Sequence, residues 1–197
     1  EVRKLFGVIA LSVGVFAGGW AVARLGLIRT MVIGAFMSPV SNIVFAWLAV
    51  QGHDLGALFV AIGIDNVASG FAGTALIAYM SSLTSIGFTA VQYALFSSLY
   101  ALPGKLVASQ SGKIVEASAR SADAGGPLAA FKPLFSNLPA NSLTSGALTS
   151  GVTPAGLGAG YFAFFLYSTA IGVFAIVLAF YVAARQGRIP APPPGDE

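Results

Sequence analysis

Three polar residues in an apolar run carry most of the chemistry open to this chain. Asp65 and Asn66 stand side by side and Ser69 follows one turn later, within the stretch from Ile64 to Leu95. Asp65 lies eleven residues past Asp54, the last charge before the run. At about 1.5 Å per residue that is about 16 Å, half of a hydrocarbon core roughly 30 Å thick. A carboxylate at that depth costs roughly 2.5–3.5 kcal/mol even on permissive insertion scales, so such groups face a bundle interior or a wet cavity. There the acid suits proton or cation coupling, charged when hydrated and neutral when occluded. The plainer alternative is an Asp held neutral by hydrogen bonds to a neighbouring helix. An Asn would serve that packing role without titrating, which favours the functional reading.

Other chemistries find less material. His53 is the single histidine and only Asp54 is near it in sequence, so no metal site is expected. It sits at a helix end, half a membrane from Asp65, which leaves no Ser-His pair and no basis for an enzyme. Cysteine is absent, which excludes disulfides and thiolate metal sites. Nothing calls for a cofactor.

The elements that must position Asp65 follow from composition. Hydrophobic residues make up 56% of the chain and charged residues 9%, against about 25% charged in soluble domains. Mean hydropathy is +0.84. The expected fold is all-α: a polytopic transmembrane bundle over residues 1–185, with spans at about 5–23, 30–51, 55–81, 88–108 and 158–184. Gly14 and Gly18, four apart, let another helix approach the first span. Pro39 lies inside the second span and reads as a static kink; Asn42, just beyond it, reads as interhelical glue. Residues 109–157 turn rich in Ala, Ser, Gly, Thr and Pro, too polar and broken to span. They read as a passive extracytoplasmic loop, with Ala130–Phe135 able to rest on the membrane surface. The tail 186–197, with Pro190 and Pro192 to Pro194, reads as disordered. The net charge of +3 comes from Lys and Arg scattered at helix ends, a topology signal rather than a nucleic-acid surface. Arg24, Arg29, Arg185 and Arg188 fall on one side, which the positive-inside rule makes the cytoplasm. The chain opens on Glu1 rather than Met, as a fragment would.

The run Asp65-Asn66-Val67-Ala68-Ser69-Gly70, with Gly73-Thr74-Ala75 and Ala78, resembles the E-N-L-x-[SG]-G-x-G-T-x-A-F-V-A segment of AmpG-type muropeptide permeases. Phe88 to Leu95, F-T-A-V-Q-Y-A-L, is similar to their F-[ST]-A-T-Q-[FY]-A-L. Gly104-Lys105, Ser111-Gly112 and Val115-Glu116 fit the continuation, and Lys4 to Gly7, Gly18-Gly19, Arg24, Gly26, Arg29 and Ser41-Asn42 fit upstream. The chain departs from the family at Asp65, where Glu is usual, at Ile86 in place of a basic residue, at Val91 in place of Thr, and by an insertion from Ala117 to the last helix.

The family belongs to the major facilitator superfamily, twelve helices in two halves. The resemblance implies that this chain holds helices eight to twelve, with the first seven as absent partners. It implies a secondary transporter of the bacterial inner membrane, importing anhydro-muropeptide or a related amino-sugar peptide with protons, for cell-wall recycling linked to β-lactamase induction. It implies Asp65 as the proton-coupling group, Asn66, Ser69, Gln92 and Tyr93 as pathway residues, and Gly19, Arg24, Gly26 and Arg29 as a gating turn, while Asn42 is left to packing. Another cargo (acyl-CoA-like, sugar or drug) is the alternative within transport. A non-transporting membrane assembly subunit, with Asp65 as glue, is the alternative outside it.

Overall fold

A computed structural model describes residues 2–52, 54–84, 89–139 and 142–186. His53, the turn holding Ile86 and Phe88, Arg188 and the tail from 187 lie outside the described residues. Among those described there is no strand. The chain runs through α1 (Val2–Leu25), α2 (Leu27–Gln51), α3 (Leu55–Ser82), α4 (Thr89–Ser109), α5 (Ser111–Asp123), a 3₁₀ helix (Pro127–Phe135), α6 (Thr144–Ser150) and α7 (Pro154–Gln186).

Local chemistry sets the breaks. Gly26 ends α1 with φ of 85°, a backbone conformation that side-chain-bearing residues avoid. Its carbonyl accepts from the Thr30 hydroxyl at 2.8 Å and the Thr30 amide at 3.2 Å, starting α2 with a fully buried threonine. Asp54 caps α3, its carboxylate accepting from the Ala57 amide at 3.1 Å.

The long helices stand in a row, α1 against α3, α3 against α2, α2 against α7. In a bilayer there is no hydrophobic drive between helices, so small residues that admit close backbone approach decide the packing. A methyl group at Gly14 of α1 would overlap the Val67 carbonyl of α3, and one at Gly70 of α3 would overlap the Leu11 carbonyl of α1. At Gly18 it would come within 2.9 Å of the Phe71 carbonyl, and at Gly34 of α2 within 3.0 Å of Ala72. Pro39 does not interrupt α2; its ring seats against Gly172 of α7.

Four helices are long and apolar enough to cross a membrane among the described residues: Leu5–Leu25, Leu27–Gln51, Leu55–Ser82 and Pro154–Gln186. The expected fifth, 88–108, differs. It forms a helix of 21 residues, but Gln92, Ser97, Ser98 and Lys105 make it too polar to rank with the others. Connectivity gives it the same course. Gly52, after α2, sits beside Leu138 and Ser142, while Gln186 at the end of α7 donates to the Tyr79 hydroxyl near the end of α3 at 3.2 Å. The segment after α4 therefore lies at the end of the bundle where α3 begins, and α4 runs from the opposite end to reach it. Its side chains Val91, Leu95, Leu99 and Leu102 are exposed, and it packs only sparsely on α3 and α5.

The polar segment between α4 and α7 carries α5, the 3₁₀ helix and α6, folded onto the first third of α7. Val115, Ala119, Ala147 and Leu157 form one small core; Ala122, Phe135 and Ala159 form another. Phe131 and Phe135 turn inward to the Phe162 ring, centroids 5.1 and 6.4 Å apart, rather than outward to lipid. Gly156, Gly158 and Gly160 make this docking feasible: a side chain at each would strike the Asp123 carboxylate, the Phe135 ring and the Val115 carbonyl, respectively. Asp123 ties the three parts together. Its carboxylate accepts from Lys132 Nζ at 2.7 Å and from the Thr153 amide and hydroxyl, both at 2.6 Å. Thr153 Oγ1 in turn accepts from the Gly156 amide at 3.0 Å, capping α7.

Two measurements test these contacts. Gly14→Val should destabilise the bundle by about 1–3 kcal/mol through overpacking, read from reversible unfolding in micelles. Gly19→Ala, with nothing within 4 Å of the added methyl, should stay within about 0.5 kcal/mol.

At Asp123, partial burial works against the charged carboxylate, but the hydrogen bonds from Lys132 and Thr153 and the charge of Lys132 outweigh it and hold its pKa below the ordinary 3.8. Its stabilisation is thus complete above pH 3.8 and fades as pH falls through the lower folded value. Asp123→Asn should loosen the α5 hairpin by about 1.5–3 kcal/mol at neutral pH, seen as faster hydrogen exchange in α5, and should remove that acid dependence.

A polar cavity around Asp65 as candidate functional site

Asp65 stands near the middle of α3, ten residues past Leu55, about 15 Å along the helix. It is half-buried, and Ala68, Ser69, Ala72 and Gly73 follow it at helical spacing on the same face. Opposite, α2 presents Ser38, Ser41 and Asn42, and α4 closes one side with Tyr100. Together they line a polar, partly open cavity of about 220 Å³. Within α2, the Ser41 hydroxyl and the Asn42 amide nitrogen both donate to the Ser38 carbonyl, at 2.9 and 3.3 Å. The side-chain carbonyl of Asn42 and the hydroxyls of Ser38, Ser69 and Tyr100 offer acceptors and donors around a single carboxylate.

Asn66 does not join this cavity. Successive helical residues point about 100° apart, and its amide nitrogen donates to the Ile62 carbonyl at 2.8 Å beside Gly7 of α1. The sequence pair Asp65-Asn66 thus splits, one side chain to the cavity and the other to the α1 interface. Ser69 stays with Asp65. Gln92 and Tyr93 lie in the first turn of α4, about 10 Å along the helix from Tyr100, outside the cavity lining. Arg24 and Arg29 are exposed at the end of the bundle opposite Asp54, around the positive-φ Gly26. Arg185 closes the same end, its guanidinium 5.3 Å from the Tyr181 ring centroid.

Ser38 and Tyr100 were not singled out from sequence, Ser41 entered only as part of the family match, and Asn42 was left to packing. The signal for the first two was available: Ser38, Ser41 and Asn42 recur at i, i+3 and i+4, one helical face. For Tyr100 no local signal exists, because α4 meets the cavity only through the tertiary fold. An apolar groove of about 370 Å³, walled by Met31, Leu76, Tyr79 and Leu178, adjoins the cavity and shares Ser38, Ala72 and Tyr100 with it.

The bundle thus holds a polar cavity around an acid, and comparison with known proteins finds similar chains. The chain is 36% identical over 114 residues to a putative transporter AmpG 4 of Rickettsia felis, covering 58% of this chain and 28% of that one. It is 35% identical over 111 residues to a putative transporter AmpG 3 of Rickettsia typhi, 56% of this chain and 26% of the other. It is 31% identical over 116 residues to the anhydromuropeptide permease of Escherichia coli K12, 59% of this chain and 24% of that protein. The chain is a relative of the AmpG transporters. It spans about a quarter of the length of the AmpG proteins it matches. No family model and no solved structure matches it.

The cavity has a direct test. A cysteine at Ser69, exposed on the cavity face, should react with a small water-borne thiol reagent roughly ten times faster than one at Ala61, which is fully buried on α3.

Proposed function

We propose that this chain is the C-terminal portion of a proton-driven permease of the bacterial inner membrane that imports anhydromuropeptides. The observation that carries the reading is the half-buried Asp65 on a polar cavity at mid-helix of a membrane bundle whose relatives are named AmpG transporters and anhydromuropeptide permease. A membrane carboxylate that alternates between a hydrated, charged state and an occluded, neutral state carries one proton per cycle. Ser69, Asn42 and Tyr100 border it and would hydrogen-bond either the carboxylate or the cargo. Asn66, Gln92 and Tyr93 then act from neighbouring surfaces, and Arg24 and Arg29 with Gly19 and Gly26 form the cytoplasmic turn that limits opening. The cargo is far larger than a 220 Å³ cavity, so the complete pathway needs further helices against the exposed face of α4. Uptake of such cargo places the protein in cell-wall recycling and, through it, in β-lactamase induction. The chain performs no covalent chemistry in this reading.

The test is Asp65→Asn in the full-length protein, assayed in vesicles with an imposed pH gradient. Uphill uptake should fall at least about tenfold, a loss of about 1.4 kcal/mol, while cargo exchange across the membrane persists. Asp65→Glu should keep partial uptake. Uphill accumulation by Asp65→Asn at the parent's level would remove Asp65 from coupling.

A further inference from the structure

The polar cavity at Asp65 and the apolar groove beside it lie end to end, and Ser38, Ala72 and Tyr100 line both. From that junction the groove runs toward the end of the bundle where Gln186 meets Tyr79. Ser38 to Met31 is seven residues of α2, and Ala72 to Tyr79 is seven residues of α3. Each is about 10 Å of helix. Ala175, Leu178 and Val182 of α7 form the third side. The two spaces make one partly open seam, polar at Asp65 and apolar beyond Ala72.

Asp65 carries the one charge among the described residues that line this seam. It has neither a hydrogen bond nor an ion pair among the described residues. Its oxygens remain accessible, since the Ser142 hydroxyl is the one side-chain polar atom among those residues that is both sealed and unpaired. A half-buried carboxylate without a partner favours a cation that can also donate hydrogen bonds. A primary ammonium has three donors. Asp65 can accept one, and the Asn42 side-chain carbonyl and the Ser38 and Ser69 hydroxyls border the same space to accept the others.

The apolar groove sets the rest of the ligand. Asp65 to Leu76 is eleven residues of α3, about 16 Å, so a chain that starts at the carboxylate must be long to lie along the groove. An alkyl chain gains little by leaving lipid tails for an apolar wall. The charge therefore selects the ligand, and the groove decides which lengths fit. The depth of Asp65 excludes a phospholipid, whose charged head stays at the membrane surface.

We propose that this seam binds long-chain primary amines, the ammonium on Asp65 and the alkyl chain in the groove between α2, α3 and α7. The site goes beyond the anhydromuropeptide reading, because it requires neither uptake nor a proton step.

The experiment is alkylation of Ser69→Cys by iodoacetamide, in the full chain in micelles, with added dodecylamine, butylamine, dodecan-1-ol or dodecanoate. Dodecylamine should halve the labelling rate at a concentration at least about tenfold below that needed for each of the other three. Adding Asp65→Asn should raise the dodecylamine concentration at least about tenfold, because the carboxylate's charge is gone. Adding Ala175→Phe, at an exposed position on the groove wall, should raise it similarly while leaving the butylamine concentration unchanged. Equal protection by dodecan-1-ol or dodecanoate, no protection by dodecylamine, or an unaltered dodecylamine response in either added variant would overturn the proposal. Uptake plays no part in the readout, so failure here leaves the coupling role of Asp65 standing, and loss of that role leaves the amine site standing.

Discussion

Close backbone approach along α3 is the constraint on which the rest depends. Lipid tails are as apolar as leucine, so burying leucines between helices gains little in a bilayer, and dispersion between well-fitted surfaces must hold the bundle. Gly14 and Gly18 of α1 and Gly70 of α3 bring two backbones into mutual contact, and Gly34 brings α2 to Ala72 on another side of α3. Asp65 sits on the helix so gripped. Its carboxylate is tolerable at mid-helix because the α2–α3 pair leaves a polar cavity there instead of closing over it. Small residues of α3 also leave room beside it, since Ala68, Ala72 and Gly73 line the cavity.

The long helices were legible in the sequence because an uninterrupted apolar run has few alternatives to crossing a membrane. Gly26 and Asp54 marked breaks that the structure keeps. The glycine pair at 14 and 18 announced a close contact and makes one. Legibility ended where partners lie far off in the chain. The segment 111–150 looked like polar linker because its apolar residues are few and small. They suffice because Gly156, Gly158 and Gly160 of α7 offer a surface flat enough for Ala119, Ala122 and Phe135 to reach. Nothing within the segment encodes that surface. Asp123, whose hydrogen bonds span thirty residues to Thr153, was equally invisible.

The site was half legible for a related reason. A lone acid in an apolar run can be found by inspection, and so can its neighbour one turn on, Ser69. Which residues face it from other helices depends on helix rotation, which hydropathy does not report when a helix is apolar all round. Asn42 and Asn66 illustrate this: both are amides at mid-depth, and only the rotation of α2 and α3 decides that the first faces Asp65 and the second faces α1.

The length of α7 carries a mechanical consequence. Its 33 residues make a rod of about 50 Å, and the Pro39 ring meets it at Gly172, about 27 Å from one end and 21 Å from the other. The rod is tied near one end to the Asp123 knot and at the other, through the Gln186–Tyr79 hydrogen bond, to α3. A stiff rod that tilts about such a fulcrum swings its two ends in opposite senses and by nearly equal arms. Any displacement of the α5 hairpin is thereby delivered, reversed, to Tyr79 and the apolar groove toward the opposite end of the bundle, without α7 bending at all.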